Sequence, residues 1–483
     1  MMHSKIIGRK TEIRLLEQYA ASGRAEFVAL YGRRRVGKTF LVNQVFENRL
    51  TFSMTGIQDG DRKAQIHAFT DALDLYGYDD KRIPKDWYEA FQMLRHFLSG
   101  KVGRTEPCII FIDELPCFDT RKSDFTKALG YFWNSWGAKQ QNFLFIVCGS
   151  STSWMMKNVI DSHGGLHDRI THEIHLKEFK LRETEEYLNE YGFPWDRLMI
   201  LQTYMILGGI PYYLSLLDKT QSLAQNIDRL CFHQSGEMRR EFRRLYKTLF
   251  ASPDPYISIV EALFKKKRGM TRDEIAKAVN TSSNGNLTKV LQNLVDCDIV
   301  RFYRVKDKKI SSRSGVYQLM DFFSIFHLQF MKDRTTNENF WSQSVNTPEV
   351  NTWMGLAFER VCLAHIQEIK QSLGIHGIKT EHYSWHGIDP ENQQRAQIDI
   401  IIERADRMIN VCEAKYSEKP YILNKEEYDK YMNRVEVFKR QTAFSGGIIP
   451  TFITVSGLQR NTYSEHIAAQ VIIGDIMEER TDA

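Results

Sequence analysis

Phe27-Val28-Ala29-Leu30-Tyr31 runs into Gly32-Arg33-Arg34-Arg35-Val36-Gly37-Lys38-Thr39, and then into Phe40-Leu41-Val42-Asn43-Gln44-Val45. An apolar run of strand length meets a loop bounded by two glycines, and the loop opens a helical pattern. This is G-x-x-x-x-G-K-[ST] in the strand–loop–helix setting that gives the motif its meaning. Glycine lets backbone N–H groups turn inward and cradle phosphate oxygens, and the helix N-terminus adds its positive dipole end. Gly32, Arg33, Arg34, Arg35, Val36, Gly37, Lys38, Thr39 and Phe40 are therefore the expected nucleotide-binding residues. Lys38 is expected to reach the β- and γ-phosphates of ATP, and the Thr39 hydroxyl to hold Mg²⁺. The alternative, a chance match in a strand-to-helix turn, leaves the flanking strand and helix unexplained.

Working outward, residues 108–112 are uniformly apolar and end in Asp113-Glu114. That pattern predicts a buried parallel strand with carboxylates at its C-terminal edge, where ligands of such sheets sit. Asp113 is expected to hold the Mg²⁺ hydration shell and Glu114 to orient and deprotonate the attacking water. A further apolar strand, 143–148, ends in Gly149-Ser150-Ser151. Ser150 is the candidate γ-phosphate sensor, and a serine helix cap is the competing explanation. Arg169, before a strand-like stretch at 171–176, is a candidate for the transition-state charge, against a plain solvated arginine. Residues 60–104 predict helices with core-packing periodicity. Gly208-Gly209-Ile210-Pro211 breaks a mostly helical region, 181–250, which reads as a lid able to change its angle to the core.

The bulk properties are compatible with this. At 483 residues the chain has room for two to four domains. Its hydrophobic fraction of 42% and charged fraction of 26% are ordinary for a water-soluble protein. No apolar window reaches the length of a transmembrane helix, and the N-terminus shows no signal region, so no membrane partner is expected. Seven scattered cysteines without a C-x-x-C pair indicate a reduced, cytoplasmic setting.

Residues 256–320 predict three short helices and two strands joined by a basic loop, 306–314, the order of a winged helix-turn-helix. Residues 263–313 hold 13 Lys+Arg against 5 Asp+Glu, a net of +8, whereas the whole chain is only +5. The positive field is concentrated here, which makes DNA the expected partner, against lysines that are merely solvated. A polar stretch at 332–350 marks an expected boundary. Beyond it come a helical pattern carrying Glu359, a strand with Asp399, and a second strand ending Cys412-Glu413-Ala414-Lys415. Period two puts Glu413 and Lys415 on one face, and a neighbouring strand is expected to bring Asp399 beside them. Two carboxylates and a lysine suit Mg²⁺-assisted phosphodiester hydrolysis, with Asp399, Glu413 and Glu359 as metal ligands and Lys415 as the catalytic cation. Structural ion pairs are the alternative.

Together, Gly8-Arg9, the loop at 32–39, Asp113-Glu114, Gly149-Ser150-Ser151 and Gly208-Gly209-Ile210-Pro211-Tyr212 resemble the AAA-type ATPases widespread in archaea and present in Bacteroidetes, near the signal-transduction ATPases with numerous domains. The resemblance continues into a C-terminal part similar to the PD-(D/E)xK nuclease superfamily, whose motif Asp399, Glu413 and Lys415 match. Relatives often carry Gly-Arg where this chain has Asp168-Arg169. The resemblance implies an α/β fold with a P-loop NTPase parallel sheet and helical lid, a winged helix-turn-helix, and a restriction-endonuclease-like α/β domain. The expected divisions are 1–180, 181–250, 251–331 and 350–483. The function expected is ATP hydrolysis coupled to DNA binding and Mg²⁺-dependent cleavage. The alternative is a nucleotide-controlled switch or DNA-binding regulator without nuclease activity. Assembly is open between a homo-oligomer and a partner protein.

Overall fold

A computed structural model describes residues 5–161, 166, 168–250, 252–304, 315–332, 337–389, 393 and 395–478. The basic loop expected at 306–314 lies outside the described residues. Five strands build the first sheet: β1 (Ala25–Tyr31), β2 (Leu50–Thr55), β3 (Cys108–Asp113), β4 (Phe143–Gly149) and β5 (His172–His175). Their order is β2-β3-β4-β1-β5, every pair parallel. Val28 and Leu30 of β1 enter one core cluster, while Phe27, Ala29 and Tyr31 enter another. Both faces of the strand are thus covered by apolar packing, which is why its sequence is continuously apolar rather than alternating. The Lys38–Val45 helix follows β1 directly.

The expected helical region at 60–104 is two helices, Arg62–Leu75 and Trp87–Leu98, each capped by an aspartate that accepts an N–H of its first turn. After β5 the chain is helical through Leu181–Glu190, Arg197–Leu207 and Glu241–Leu249. Gly209 stands between them because the carbonyl oxygen of Phe179 would lie 1.9 Å from any Cβ there.

Next come the helix Asp254–Lys265, β6 (Met270–Thr271), the helices Arg272–Ala278 and Gly285–Asp296, and the antiparallel strands β7 (Val300–Arg304) and β8 (Gly315–Leu319). These strands form a three-stranded sheet in the order β6-β8-β7. Asp321 then caps the helix Phe322–Phe326.

The polar stretch at 332–350 does more than connect. Phe340–Ser344 is a helix whose first backbone N–H groups, on Trp341 and Ser342, donate to the Asp228 carboxylate at 2.7 and 3.0 Å. Trp341 is buried and stands edge-on to Trp353, 6.0 Å away. The last sheet contains β9 (Thr380–Ile388), β10 (Arg395–Arg404), β11 (Met408–Lys415), β12 (Gly447–Thr454) and β13 (Ala469–Ile472), in the order β13-β12-β11-β10-β9. Helix Pro348–Ala364 contributes Val361 and Cys362 to the same core as Ile400, Ile402 and Cys412 of the sheet. Helix Lys425–Thr442 contributes Tyr431 and Phe438 to a separate cluster with Val411 and Phe452. No described helix is long and apolar enough to cross a membrane.

Candidate nucleotide site and carboxylate corner

The loop between β1 and the Lys38–Val45 helix has the backbone its glycines require. Gly32 (φ 147°) and Gly37 (φ 93°) both take positive φ, and a Cβ on Gly32 would meet the Leu176 carbonyl oxygen at 2.2 Å. Lys38 is buried, and its ammonium donates to the carbonyls of Gly32 (2.8 Å) and Arg33 (3.0 Å) and to Ser150 Oγ (3.1 Å). Thr39 Oγ1 donates to Asp113 Oδ2 at 2.6 Å. Ser150 Oγ in turn donates to Glu114 Oε1 at 2.6 Å, and Ser150 N–H donates to Oε2 at 3.3 Å. The parallel order explains the meeting: β1, β3 and β4 all end at the same edge, so the residues just past each strand converge there.

A cavity of about 510 Å³ opens at this edge. It is lined by the loop, Glu114 and Ser150, by Ile6 and Ile7, and by Tyr187, Tyr191 and Tyr212 of the helical region. That is the volume of a small-ligand site. Arg9 is buried beside it, donating from Nη2 to the carbonyls of Lys177 (2.7 Å) and Val36 (3.2 Å), so it pins the loop to the segment after β5.

The three arginines inside the loop reach three separate partners. Arg33 pairs with Asp321 at 2.5 Å, with Glu178 3.8 Å away. Arg34 donates to Thr248 Oγ1 at 3.0 Å. Arg35 pairs with Glu241, and its guanidinium lies 4.2 Å from the Tyr212 ring centre. Burial disfavours charge on Arg33, but Asp321, Tyr213 and Glu178 together outweigh it and hold the guanidinium above its ordinary value. Burial likewise opposes the Asp321 carboxylate, and Arg33 with the hydrogen bonds from Ser324 more than offsets it, so Asp321 lies below the usual range. Burial pushes Glu178 up to about 7, Arg33 only partly countering it. These partners lie hundreds of residues away, and no local pattern announced them.

Arg169 corrects an expectation. It is exposed and precedes β5, which runs parallel to β1 with His172 opposite Val28. The loop at 32–39 follows the other end of β1, so Arg169 stands at the opposite sheet edge and does not reach this chain's own cavity.

The C-terminal residues come together only in part. In the antiparallel pair β10–β11, Ile400 faces Cys412 and Ile401 faces Val411, which brings Asp399 to the level of Glu413. A bulge against β9 between Ile398 and Ile401 re-aims this end of the strand. Burial and the charge of Asp399 raise the Glu359 carboxyl to about 8, with Arg360 countering them and smaller opposed effects from Glu413 and Lys415. The expected three-carboxylate metal centre of Asp399, Glu413 and Glu359 is not assembled: among the described residues no three His, Cys, Asp or Glu side chains are placed to hold one ion. Glu413 is instead taken by Lys415 (3.0 Å) and Arg434 (2.9 Å).

Residues 6–217 match the family described as an ATPase domain predominantly from Archaea, and the chain carries an ATPase domain of that kind. Among curated proteins, it is 25% identical over 372 residues to the uncharacterized protein MJECL04 of Methanocaldococcus jannaschii, covering 76% of this chain and 78% of that one. It is 44% identical over 43 residues to the uncharacterized ATP-binding protein MJ0423 of the same organism, covering 9% of this chain and 73% of that one. Among solved structures it is similar to the Walker-type ATPase of Pyrococcus abyssi, at 17% identity and a TM-score of 0.48, covering 67% of this chain and 96% of that one. The ORC2 protein of Aeropyrum pernix, solved in ADPNP–ADP complexes, follows at 13% identity and a TM-score of 0.40, covering 68% and 95%.

Proposed function

We propose that this protein is an ATP-hydrolysing switch whose nucleotide state sets the position of a DNA-binding unit. The observation that carries the proposal is the triple tether of the phosphate loop, Arg33 to Asp321, Arg34 to Thr248 and Arg35 to Glu241. Lys38, now spent on the loop's own carbonyls and Ser150, turns to the β- and γ-phosphates when ATP enters. The backbone amides of residues 32–40 cradle the phosphates. A hydroxyl and a carboxylate, Thr39 and Asp113, are the hard oxygen donors that Mg²⁺ takes, and they would hold it; when bound it neutralises charge on the phosphates. Glu114 orients and deprotonates the attacking water, and Ser150 reads the γ-phosphate. Any shift of the loop is passed through its arginines to the helices at 241–249 and 322–326.

The unit so moved is the basic one at 256–320. Its element order and its β6-β8-β7 sheet support reading it as a winged helix. In Lys38→Ala, ATP turnover is expected to fall at least a hundredfold in a phosphate-release assay. Wild-type turnover in that variant would remove the ATPase assignment of this site.

A second reading, phosphodiester cleavage by the C-terminal part, is favoured by one observation: the β10–β11 register sets Asp399 level with Glu413, which lies 3.0 Å from Lys415. Plasmid incubated with the protein and Mg²⁺, with and without ATP, tests it. Nicking that Lys415→Ala abolishes supports the reading; no nicking, or equal nicking by the variant, leaves the switch alone.

A further inference from the structure

Lys265, Lys266, Lys267 and Arg268 follow one another at the end of the Asp254–Lys265 helix. The backbone of this turn is clamped. Gln318 Nε2 of β8 donates to the Lys267 carbonyl at 2.8 Å, and the Tyr303 hydroxyl of β7 donates to the Arg268 carbonyl at 2.9 Å. The Arg360 guanidinium, from helix Pro348–Ala364, also donates to the Lys267 carbonyl. Gly269 closes the turn at φ 92°, where a Cβ would meet the Tyr317 carbonyl oxygen at 2.6 Å. Lys266 is engaged by Glu274 at 2.5 Å, while Lys265, Lys267 and Arg268 are exposed. Three cations are thus held on a fixed backbone rather than on a loose loop.

The clamp also fixes where that turn lies. Arg360 adjoins Glu359 in the same helix. Arg301 of β7 donates to Ser384 Oγ at 3.2 Å, and Ser384 Oγ donates to the Asp399 carbonyl at 2.6 Å. Burial lowers His386 of β9, and the charges of Arg268, Asp399 and Lys266 all act on the same ring. Arg301 and Tyr303, two positions apart on β7, therefore tie the basic turn to the backbone of Asp399 through Ser384 of β9, where His386 stands opposite Gln397, although 131 positions separate Arg268 from Asp399 in the chain.

We infer that the turn at 265–268 and the Glu359/Asp399 corner form one continuous track for a DNA backbone. Lys265, Lys267 and Arg268 grip successive phosphates, and the strand passes over His386 and Gln397 to Asp399. An acidic corner alone repels a polyanion, and a rigid cationic rail beside it supplies the compensating attraction and sets the strand's direction. This inference rests on the DNA-binding reading above and adds the path that the nucleic acid takes. It also assigns the basic turn to the C-terminal site rather than to the helix Gly285–Asp296 alone.

The full chain carrying Gln397→Cys, modified with a photo-cross-linker, is mixed with end-labelled duplex DNA in EDTA. Cross-linking at residue 397 is expected. The triple variant Lys265→Ser, Lys267→Ser, Arg268→Ser is expected to lose at least tenfold of that cross-linking. Its log Kd against log salt slope should fall by about 2 to 3, close to 0.9 per phosphate contact. An unchanged melting temperature serves as the control for folding. DNA bound without cross-linking at 397, or cross-linking indifferent to the triple variant, overturns the track and leaves the DNA reading standing. No binding of duplex at low salt overturns both.

Discussion

Ser150 lines the candidate nucleotide site, between Lys38 and Glu114. Its hydroxyl accepts from Lys38 at 3.1 Å and donates to Glu114 at 2.6 Å, so one side chain joins the phosphate-binding cation to the proposed base. Glu114 also takes a left-handed backbone, φ 49°, a conformation that non-glycine residues seldom adopt. In this arrangement the carboxylate is occupied and the lysine is spent on its own loop. On the proposed reading, ATP would draw Lys38 away and leave Ser150 free to turn. Glu114→Gln is therefore expected to bind ATP with near wild-type affinity by calorimetry while turnover drops by about 10²- to 10⁴-fold. A variant that hydrolyses at the normal rate would show that another group activates the water.

At the scale of elements, the phosphate loop is a junction. Arg33 and Asp321 are both about 3% exposed, and they join the loop to the cap of the Phe322–Phe326 helix. Removing one member of such a pair strands a buried charge, at a cost of about 3–5 kcal/mol, whereas replacing both with apolar groups is far milder. Arg33→Met is expected to lose stability on that scale in urea unfolding, because it leaves Asp321 and Glu178 facing each other. The double variant Arg33→Met/Asp321→Leu should regain most of the loss, since Glu178, raised to about 7, readily takes a proton. Simple additivity of the two single effects would mean that the pair is not coupled.

Over the whole molecule, His365 joins the end of the Pro348–Ala364 helix to the start of the Leu181–Glu190 helix. Its Nε2 accepts the N–H of Leu181 at 2.9 Å, and Nδ1 lies 2.9 Å from the Val361 carbonyl. These two contacts require a neutral ring with the proton on Nδ1. His365 is fully buried, and burial pushes it down to about 4. The folded value lies below the ordinary 6.5, so the unfolded chain takes up the proton first. The contribution is complete above about pH 6.5 and is lost as pH falls towards 4, at no more than about 1.4 kcal/mol per pH unit. His365→Gln is expected to flatten the acid side of a stability-against-pH curve measured by urea unfolding. An unchanged slope would show that this imidazole is not the linked group.

Legibility followed the distance over which each determinant acts. Strand β1, the loop and its helix were readable because hydrophobic periodicity and glycine placement are local. So were β3 with Asp113-Glu114, and β10 and β11 with Asp399, Glu413 and Lys415. Strand β9 escaped, since Thr380-Glu381-His382-Tyr383-Ser384-Trp385 mixes polar and aromatic residues at a sheet edge. The edge at which Arg169 stands was equally hidden, because only the strand order and direction assign it. By itself the sequence determined that a phosphate-cradling loop opens a helix beside two acids, because three or four neighbouring residues dictate that backbone. Only the tertiary structure decided that this loop's arginines end on Asp321, Thr248 and Glu241, and that β7 and Ser384 link a basic turn to the backbone of Asp399. Ion pairs between distant positions carry no periodicity, so burial and Coulomb attraction select those partners after the elements have packed.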